Sequence, residues 1–303
     1  MVVLYVSRSL LDGLRMLGAQ PLDAPVRWDL LALSGTLTLT AHVILIETWR
    51  RMLTCWNERI PFWSAARVWS VSNLAKYLPG PVWQIGAMGA MSREIGVSPM
   101  AASGAALLSA MVSVIAGFVV VLASGRGLLE QAHPGWATLA GVIAVCAIVG
   151  LIAAPAVLPR IGPAIARLAG RQLETTLPAR AVVYSAAGNL VAWLLYGAAF
   201  NFFVRGLIGG PSGGYLAYLA AYTVAYLTGY LSFFTVAGAG TRELVMQRVL
   251  VDAHLASVPQ AALITISSRV WLTLLEVTPA ILFWVHHRMR PRSPTTDPTD
   301  VPT

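Results

Sequence analysis

The sequence predicts an all-α, polytopic membrane bundle containing two re-entrant helical hairpins in an inverted repeat. Three observations point there. Hydrophobic residues make up 57% of the 303-residue chain and charged residues only 11%, against about 25% charged in soluble domains. Apolar runs of about 20 residues recur and end on aromatic or basic anchors. Two further apolar stretches are broken by Pro, Gly and charge, so neither can cross a bilayer as a plain helix.

Taken in order, residues 1–28 place Val3, Val6, Leu10, Leu14 and Leu17 at helical spacing, which predicts an interfacial amphipathic segment. Arg8, Asp12 and Arg15 interrupt what would be the apolar core of a signal peptide. A first span runs from about Asp29 to Glu47 and ends on Trp49-Arg50-Arg51. Further spans are expected over Met100–Ser124, Trp136–Leu158 and Ala181–Val204, with Arg160, Arg167, Arg171 and Arg180 in a basic loop after the second of these. A Gly-rich turn at Gly209–Gly214 leads into the apolar stretch Tyr215–Phe234, and a last span covers Pro259–His287. Residues 288–303 hold Pro, Thr and Asp with nothing apolar to bury, the composition of a disordered tail. The transmembrane domain is therefore 29–287.

If the first span runs from outside to inside, the inner side collects Arg50, Arg51, Arg59, Arg67, Lys76 and Arg93, the loop arginines above, and Arg288, Arg290 and Arg292. The positive-inside rule then puts the N-terminus outside and the C-terminus in the cytoplasm, which suits a multi-pass plasma-membrane protein. The net charge of +8 does not indicate nucleic-acid binding, because the arginines cluster between apolar runs and not along one face.

Residues 66–93 carry Lys76 and Pro79-Gly80-Pro81 in the middle of an apolar stretch whose ends must both lie inside. The second break, Phe233–Glu243, has both ends outside. The order is span, inner hairpin, span, then a linking span, then span, outer hairpin, span. Such inverted repeats place a binding site near the bilayer midplane, with broken-helix ends aimed at the substrate.

Asn73-Leu74-Ala75-Lys76-Tyr77-Leu78-Pro79-Gly80 with Val82-Trp83-Gln84 resembles the Lys-Tyr-(Ile/Leu)-Pro-Gly motif of the lysylphosphatidylglycerol-synthase transmembrane-region family, also called flippase-like. Gly238-Ala239-Gly240-Thr241-Arg242-Glu243 resembles that family's Pro-Gly-Gly-x-Gly-x-Arg-Glu motif, with Val236 and Ala237 where Pro and Gly are usual. Arg269 and Glu276 are similar to its polar positions in the last span. The resemblance implies movement of lipids or lipid-linked groups between leaflets. The family's soluble aminoacyl-transferring domain has no counterpart here.

The candidate substrate-binding residues are Lys76, Tyr77, Pro79, Gly80 and Trp83 from the first break, Gly238, Gly240, Arg242 and Glu243 from the second, and Arg269 and Glu276. A charge within a span costs about 2.5–3.5 kcal/mol on insertion scales, so each needs a partner or a purpose. Lys76, Arg242 and Arg269 suit a lipid phosphate, with Glu243 and Glu276 neutralising them when the site is empty; the competing reading is a structural ion pair that fixes packing. Tyr77 and Trp83 fit hairpin packing better than substrate contact. Tyr215, Tyr218, Tyr222, Tyr226 and Tyr230 recur at helical spacing, as a packing face or a cavity wall. His42 and Glu47 form either a proton relay or an ordinary polar pair. Asn189 and Asn201 suit interhelical hydrogen bonds.

Cys55 and Cys146 make neither a disulfide framework nor a metal set, and no cofactor motif is present. Gly210-Pro211-Ser212-Gly213-Gly214 matches G-x-S-x-G but lacks the strand-turn-helix context that such a nucleophile needs. The expected function is a non-enzymatic translocator of an anionic lipid or a polyprenyl-phosphate-linked group. The alternatives are a membrane-embedded transferase with Glu243 or Glu276 as base, and a partner subunit of a membrane glycosyltransferase.

Overall fold

A computed structural model describes residues 25–78, 82–132, 135–169, 177–210, 212–232, 238 and 240–289. Residues 1–24 of the N-terminal segment, Pro79, Gly80 and residues 290–303 therefore lie outside the described residues, while Arg288 and Met289, expected in the tail, continue the last helix. Within them the chain is all-helical, and five helices are long and apolar enough to cross a bilayer. This is a multi-pass membrane helix bundle.

The helices are α1 (Trp28–Thr54), α2 (Phe62–Asn73), α3 (Val82–Arg93), α4 (Pro99–Ala132), α5 (Trp136–Ala169), α6 (Ala179–Ile208), α7 (Tyr215–Leu231), α8 (Thr241–Asp252) and α9 (Val258–Met289); a 3-10 turn, Leu74–Tyr77, extends α2. The crossings outrun their sequence-predicted ends. Helix α5 continues through Arg160 and Arg167 to Ala169, so the first half of the expected basic loop is helical. Helix α4 continues past Ser124 across a kink at Gly125. Hydropathy marks where the apolar stretch stops; the hydrogen-bonded ladder runs on into the interface, where charged side chains reach water.

Helices α2, α3 and α8 have 12 residues each. At about 1.5 Å per residue, none can cross a hydrocarbon core of about 30 Å. They form two hairpins, α2–α3 and α7–α8. The base of the first is closed where the Ser98 backbone N–H donates to Glu58 Oε1 at 3.0 Å and Arg67 pairs with Glu94 at 4.0 Å. The base of the second is closed by the Tyr218 hydroxyl, which reaches the carbonyls of Ser212 (2.8 Å) and Leu255 (3.1 Å).

Helices α1 and α6 lie antiparallel between the hairpins. The Arg27 N–H at the start of α1 donates to the Gly206 carbonyl near the end of α6 at 2.8 Å, while Gly188 near the start of α6 meets Thr48 near the end of α1. The first hairpin's base shares an apolar cluster with Leu177, Ala181 and Val182 beside the start of α6. The second begins just beyond the end of α6. The two hairpins therefore enter the bundle from opposite faces.

The packing repeats under exchange of the halves. Helix α1 corresponds to α6, α2–α3 to α7–α8, and α4 to α9. Helix α4 packs on α7 as α9 packs on α2, α3 packs on α4 as α8 packs on α9, and α1 packs on α2 as α6 packs on α7. The linking helix α5 lies outside this arrangement, with Leu139, Val142, Val145, Val149 and Ile152 exposed as a lipid-facing helix requires.

Close approach of α1 and α6 depends on small residues. Gly188 and Gly206 are 18 residues apart, five full turns, and so share one face. A Cβ on Gly188 would strike Thr48, and one on Gly206 would lie 3.1 Å from the Arg27 carbonyl. Gly188→Val should lower the thermal midpoint of the detergent-solubilised protein, consistent with about 1–3 kcal/mol of overpacking. Gly104→Ala, where a Cβ meets nothing within 4 Å, should leave it unchanged. Equal midpoints for the two variants would contradict the α1–α6 register.

Candidate functional site

A cavity of about 210 Å³ opens where the inner ends of both hairpins meet the long helices. Helix α1 contributes His42 and Trp49, and α4 contributes Ser109 and Ser113. Helix α6 adds Asn189, Trp193 and Tyr196. The first hairpin supplies Asn73, Lys76 and Gln84; the second supplies Tyr226, Gly229, Tyr230 and Gly238. Glu276 of α9 completes the wall. Most of these positions lie in the middle third of their crossings, displaced toward the base of the first hairpin.

Lys76 and Glu276 pair at 2.6 Å, with side-chain exposures of 22% and 13%. The Tyr77 hydroxyl donates to the other carboxylate oxygen at 2.9 Å, and Thr273 Oγ1 lies 3.5 Å from the same hydroxyl. Both residues lie in the 3-10 turn that ends the first arm of the hairpin. Across the hairpin tip, Gln84 Nε2 donates to Asn73 Oδ1 at 3.2 Å, tying the two arms together.

The second hairpin is built differently. Gly238 has φ +72°, and a Cβ there would lie 2.8 Å from the backbone of Gly229 on α7. Gly229 in turn leaves 2.8 Å between its own Cβ position and Cβ of Arg242. These two glycines let the chain fold back onto α7 and begin α8 beneath it. At the start of α8, the Gly240 N–H donates to Glu243 Oε2 at 2.6 Å, an acidic cap in the first turn where the helix dipole favours it. Arg269 of α9 approaches the other oxygen of Glu243 at 3.5 Å. Arg242 is 8% exposed, and its guanidinium stands 4.8 Å from the Tyr226 ring centroid and 5.4 Å from that of Tyr222. Stacking on two π faces attracts a buried cation without neutralising it.

Of the sequence-predicted residues, Lys76, Gly238 and Glu276 line the cavity. Tyr77 reaches it through Glu276. Arg242, Glu243, Gly240 and Arg269 form an adjacent cluster behind Tyr226. Trp83 is 56% exposed and does not line the cavity. The tyrosine stripe divides: Tyr218 and Tyr222 are buried in packing, while Tyr226 and Tyr230 face the cavity. His42 and Glu47 are not a relay. Five residues turn a helix through about 500°, and Glu47 instead holds Arg50 and Arg51 at 2.7 Å each. His42 faces the cavity beside Trp69 and Tyr196. Asn189 makes the expected interhelical bond, to Ser109 at 3.2 Å; Asn201 instead accepts from Arg205 within its own helix. Ser109, Ser113 and Tyr196 were not legible as site residues, since isolated small polar or aromatic residues are ordinary in membrane helices.

Among the described residues no group of His, Cys, Asp and Glu is arranged to hold a metal.

Removing one member of a low-exposure ion pair costs about 3–5 kcal/mol, because the survivor is left uncompensated. Lys76→Met and Glu276→Gln should each lower the thermal midpoint, and the double variant should be more stable than the weaker single one. Additive losses would contradict direct pairing between the first hairpin and α9.

No family model matches the chain, and a search of curated proteins finds no match.

Proposed function

We propose that the protein is a flippase-like translocator that binds the anionic headgroup of a lipid or polyprenyl-phosphate-linked group in this cavity. The observation that carries the reading is the meeting of two hairpins from opposite faces around a polar cavity with a lysine in its wall. A spanning segment broken at depth is tolerated only where protein or water covers the break, and a lysine there needs a reason to be kept. In this reading Glu276 is the resting partner of Lys76. An incoming phosphate takes its place, and Arg242 adds attraction from behind Tyr226. The headgroup occupies the cavity while the tails remain in lipid.

The pseudo-symmetry supports alternating access. Exchanging the conformations of the two halves would turn a cavity displaced toward one face into one displaced toward the other. Orientation follows from Arg50, Arg51, Arg59, Arg93 and Arg180, which gather at the ends of α1 and α3 and the starts of α2 and α6. Positive-inside asymmetry then makes the first hairpin's base cytoplasmic, with the N-terminus outside and the C-terminus inside a plasma membrane.

Purified protein in liposomes should move labelled phosphatidylglycerol or polyprenyl phosphate between leaflets. Lys76→Ala and Arg242→Ala should each slow this by about tenfold or more, the scale of one charge-assisted hydrogen bond. Lipid movement unaffected by either change would rule out this cavity as the site. Chemically altered lipid would favour a transferase, and absence of both activities a partner subunit.

A further inference from the structure

We propose that the cavity is specific for a ring polyol, a hexose or an inositol, carried on a single phosphodiester. The inference rests on reading the cavity as a headgroup site and narrows what that headgroup is.

Charge limits the phosphate. Lys76 and Glu276 in the cavity wall and Arg242, Glu243 and Arg269 in the adjacent cluster make three cations against two carboxylates. With the site empty Glu276 pairs with Lys76 and Glu243 contacts Arg269; three minus two leaves a surplus of one positive charge, whichever cation Glu276 faces. A phosphodiester carries one negative charge and cancels it. A phosphomonoester, at about −1.5 to −2 near neutral pH, or a diphosphate would leave buried negative charge uncompensated, which is costly in low dielectric.

The rest of the wall is neutral and rich in hydrogen-bonding capacity. Among the described residues, the hydroxyls of Tyr196 and Tyr226 and Ser113 Oγ make no hydrogen bond, although all three residues line the cavity. Asn73 uses its amide oxygen to accept from Gln84, which leaves the Asn73 NH2 and the Gln84 oxygen available. Asn189 gives its NH2 to Ser109 and Ser185 and keeps its oxygen. Spare donors and acceptors therefore share one small space, and a ring of hydroxyls can use both, each hydroxyl giving and accepting.

Trp69, Trp193 and Tyr196 are also among the lining residues. The electron-rich faces of such rings attract the weakly positive C–H faces of a pyranose or cyclitol. A choline or ethanolamine headgroup would also favour aromatic walls, but it is zwitterionic with its phosphodiester and brings no net charge to cancel the surplus cation. Size sets the last limit. At about 210 Å³ the cavity falls below the about 300–1,000 Å³ usual for drug-sized ligands, so it admits one ring and not an oligosaccharide.

The test is direct binding, read from tryptophan fluorescence of the full chain in a sugar-free amine-oxide detergent. The probes are dihexanoyl-phosphatidylinositol, glucosyl-phosphoryl-citronellol, dihexanoyl-phosphatidylethanol and dihexanoyl-phosphatidylcholine. At least one polyol diester should bind about tenfold or more tightly than phosphatidylethanol, which has the same charge and no ring. The tighter of the two polyol probes distinguishes a glycerolipid from a polyprenol source. Tyr196→Phe, and separately Asn73→Ala, should narrow that ratio by about three- to tenfold, the worth of one neutral hydrogen bond. Equal binding of phosphatidylethanol, or preference for the choline probe, would overturn the assignment. Lipid movement without polyol preference would also overturn it while leaving translocation standing; polyol preference without lipid movement would uphold it and count against translocation.

Discussion

Hydrocarbon offers no hydrogen bond to a broken helix and no solvation to an ammonium group, and most of this architecture answers those two deficits. The first hairpin stops short after 12 residues of α2 and a single 3-10 turn, leaving backbone groups and Lys76 at a depth where each would cost several kcal/mol in lipid. The structure covers much of the Lys76 side chain, leaving it 22% exposed. Glu276 and Tyr77 meet the charge, Gln84 and Asn73 tie the arms together, and α1, α4, α6 and α9 wall off the lipid. The second hairpin meets the same deficit by other means. Its chain folds tightly back at Gly238, a carboxylate caps the start of α8, and two tyrosine faces hold Arg242.

Enclosure of this kind requires long helices that approach closely, which explains where the small residues lie. Gly188, Gly197 and Gly206 on α6 admit Thr48, Leu219 and Leu31 respectively, so α6 can touch both α1 and α7. Hydrogen bonds fasten α4 to this pair. Trp49 Nε1 reaches the Ala102 carbonyl at 3.3 Å, and Trp193 Nε1 reaches the Ser113 carbonyl at 2.9 Å. Both tryptophans also line the cavity. The groups that fasten the scaffold thus shape the space it encloses, and a change in helix packing would alter the cavity's walls directly.

Much of this was legible in the sequence because lipid imposes strong patterns. Long apolar runs with Trp-Arg ends mark crossings, and Lys76 beside Pro79-Gly80-Pro81 marks a run that cannot cross. Parity then sets the two breaks on opposite sides. Partner choice was harder to read. Glu276 was expected to neutralise a site cation, with Lys76, Arg242 and Arg269 all open to it; the fold joins Glu276 to Lys76 and Arg269 to Glu243. Helix rotation decided the fate of Glu47 and Asn201, which found partners within their own helices. The neutral wall gave least signal, since Ser109, Ser113 and Tyr196 acquire meaning only when three helices bring them together.

The central claim is that two hairpins enter from opposite faces and meet at one cavity. Labelling of single cysteines in sealed vesicles tests it most directly, in a background with Cys55→Ser and Cys146→Ser. Arg59→Cys marks the base of the first hairpin, and Ser212→Cys marks that of the second. A membrane-impermeant maleimide added outside should modify one position and spare the other, with the spared one reacting once the vesicles are opened. Modification of both positions from the same side of vesicles of uniform orientation would contradict the inverted arrangement and the shared cavity built on it.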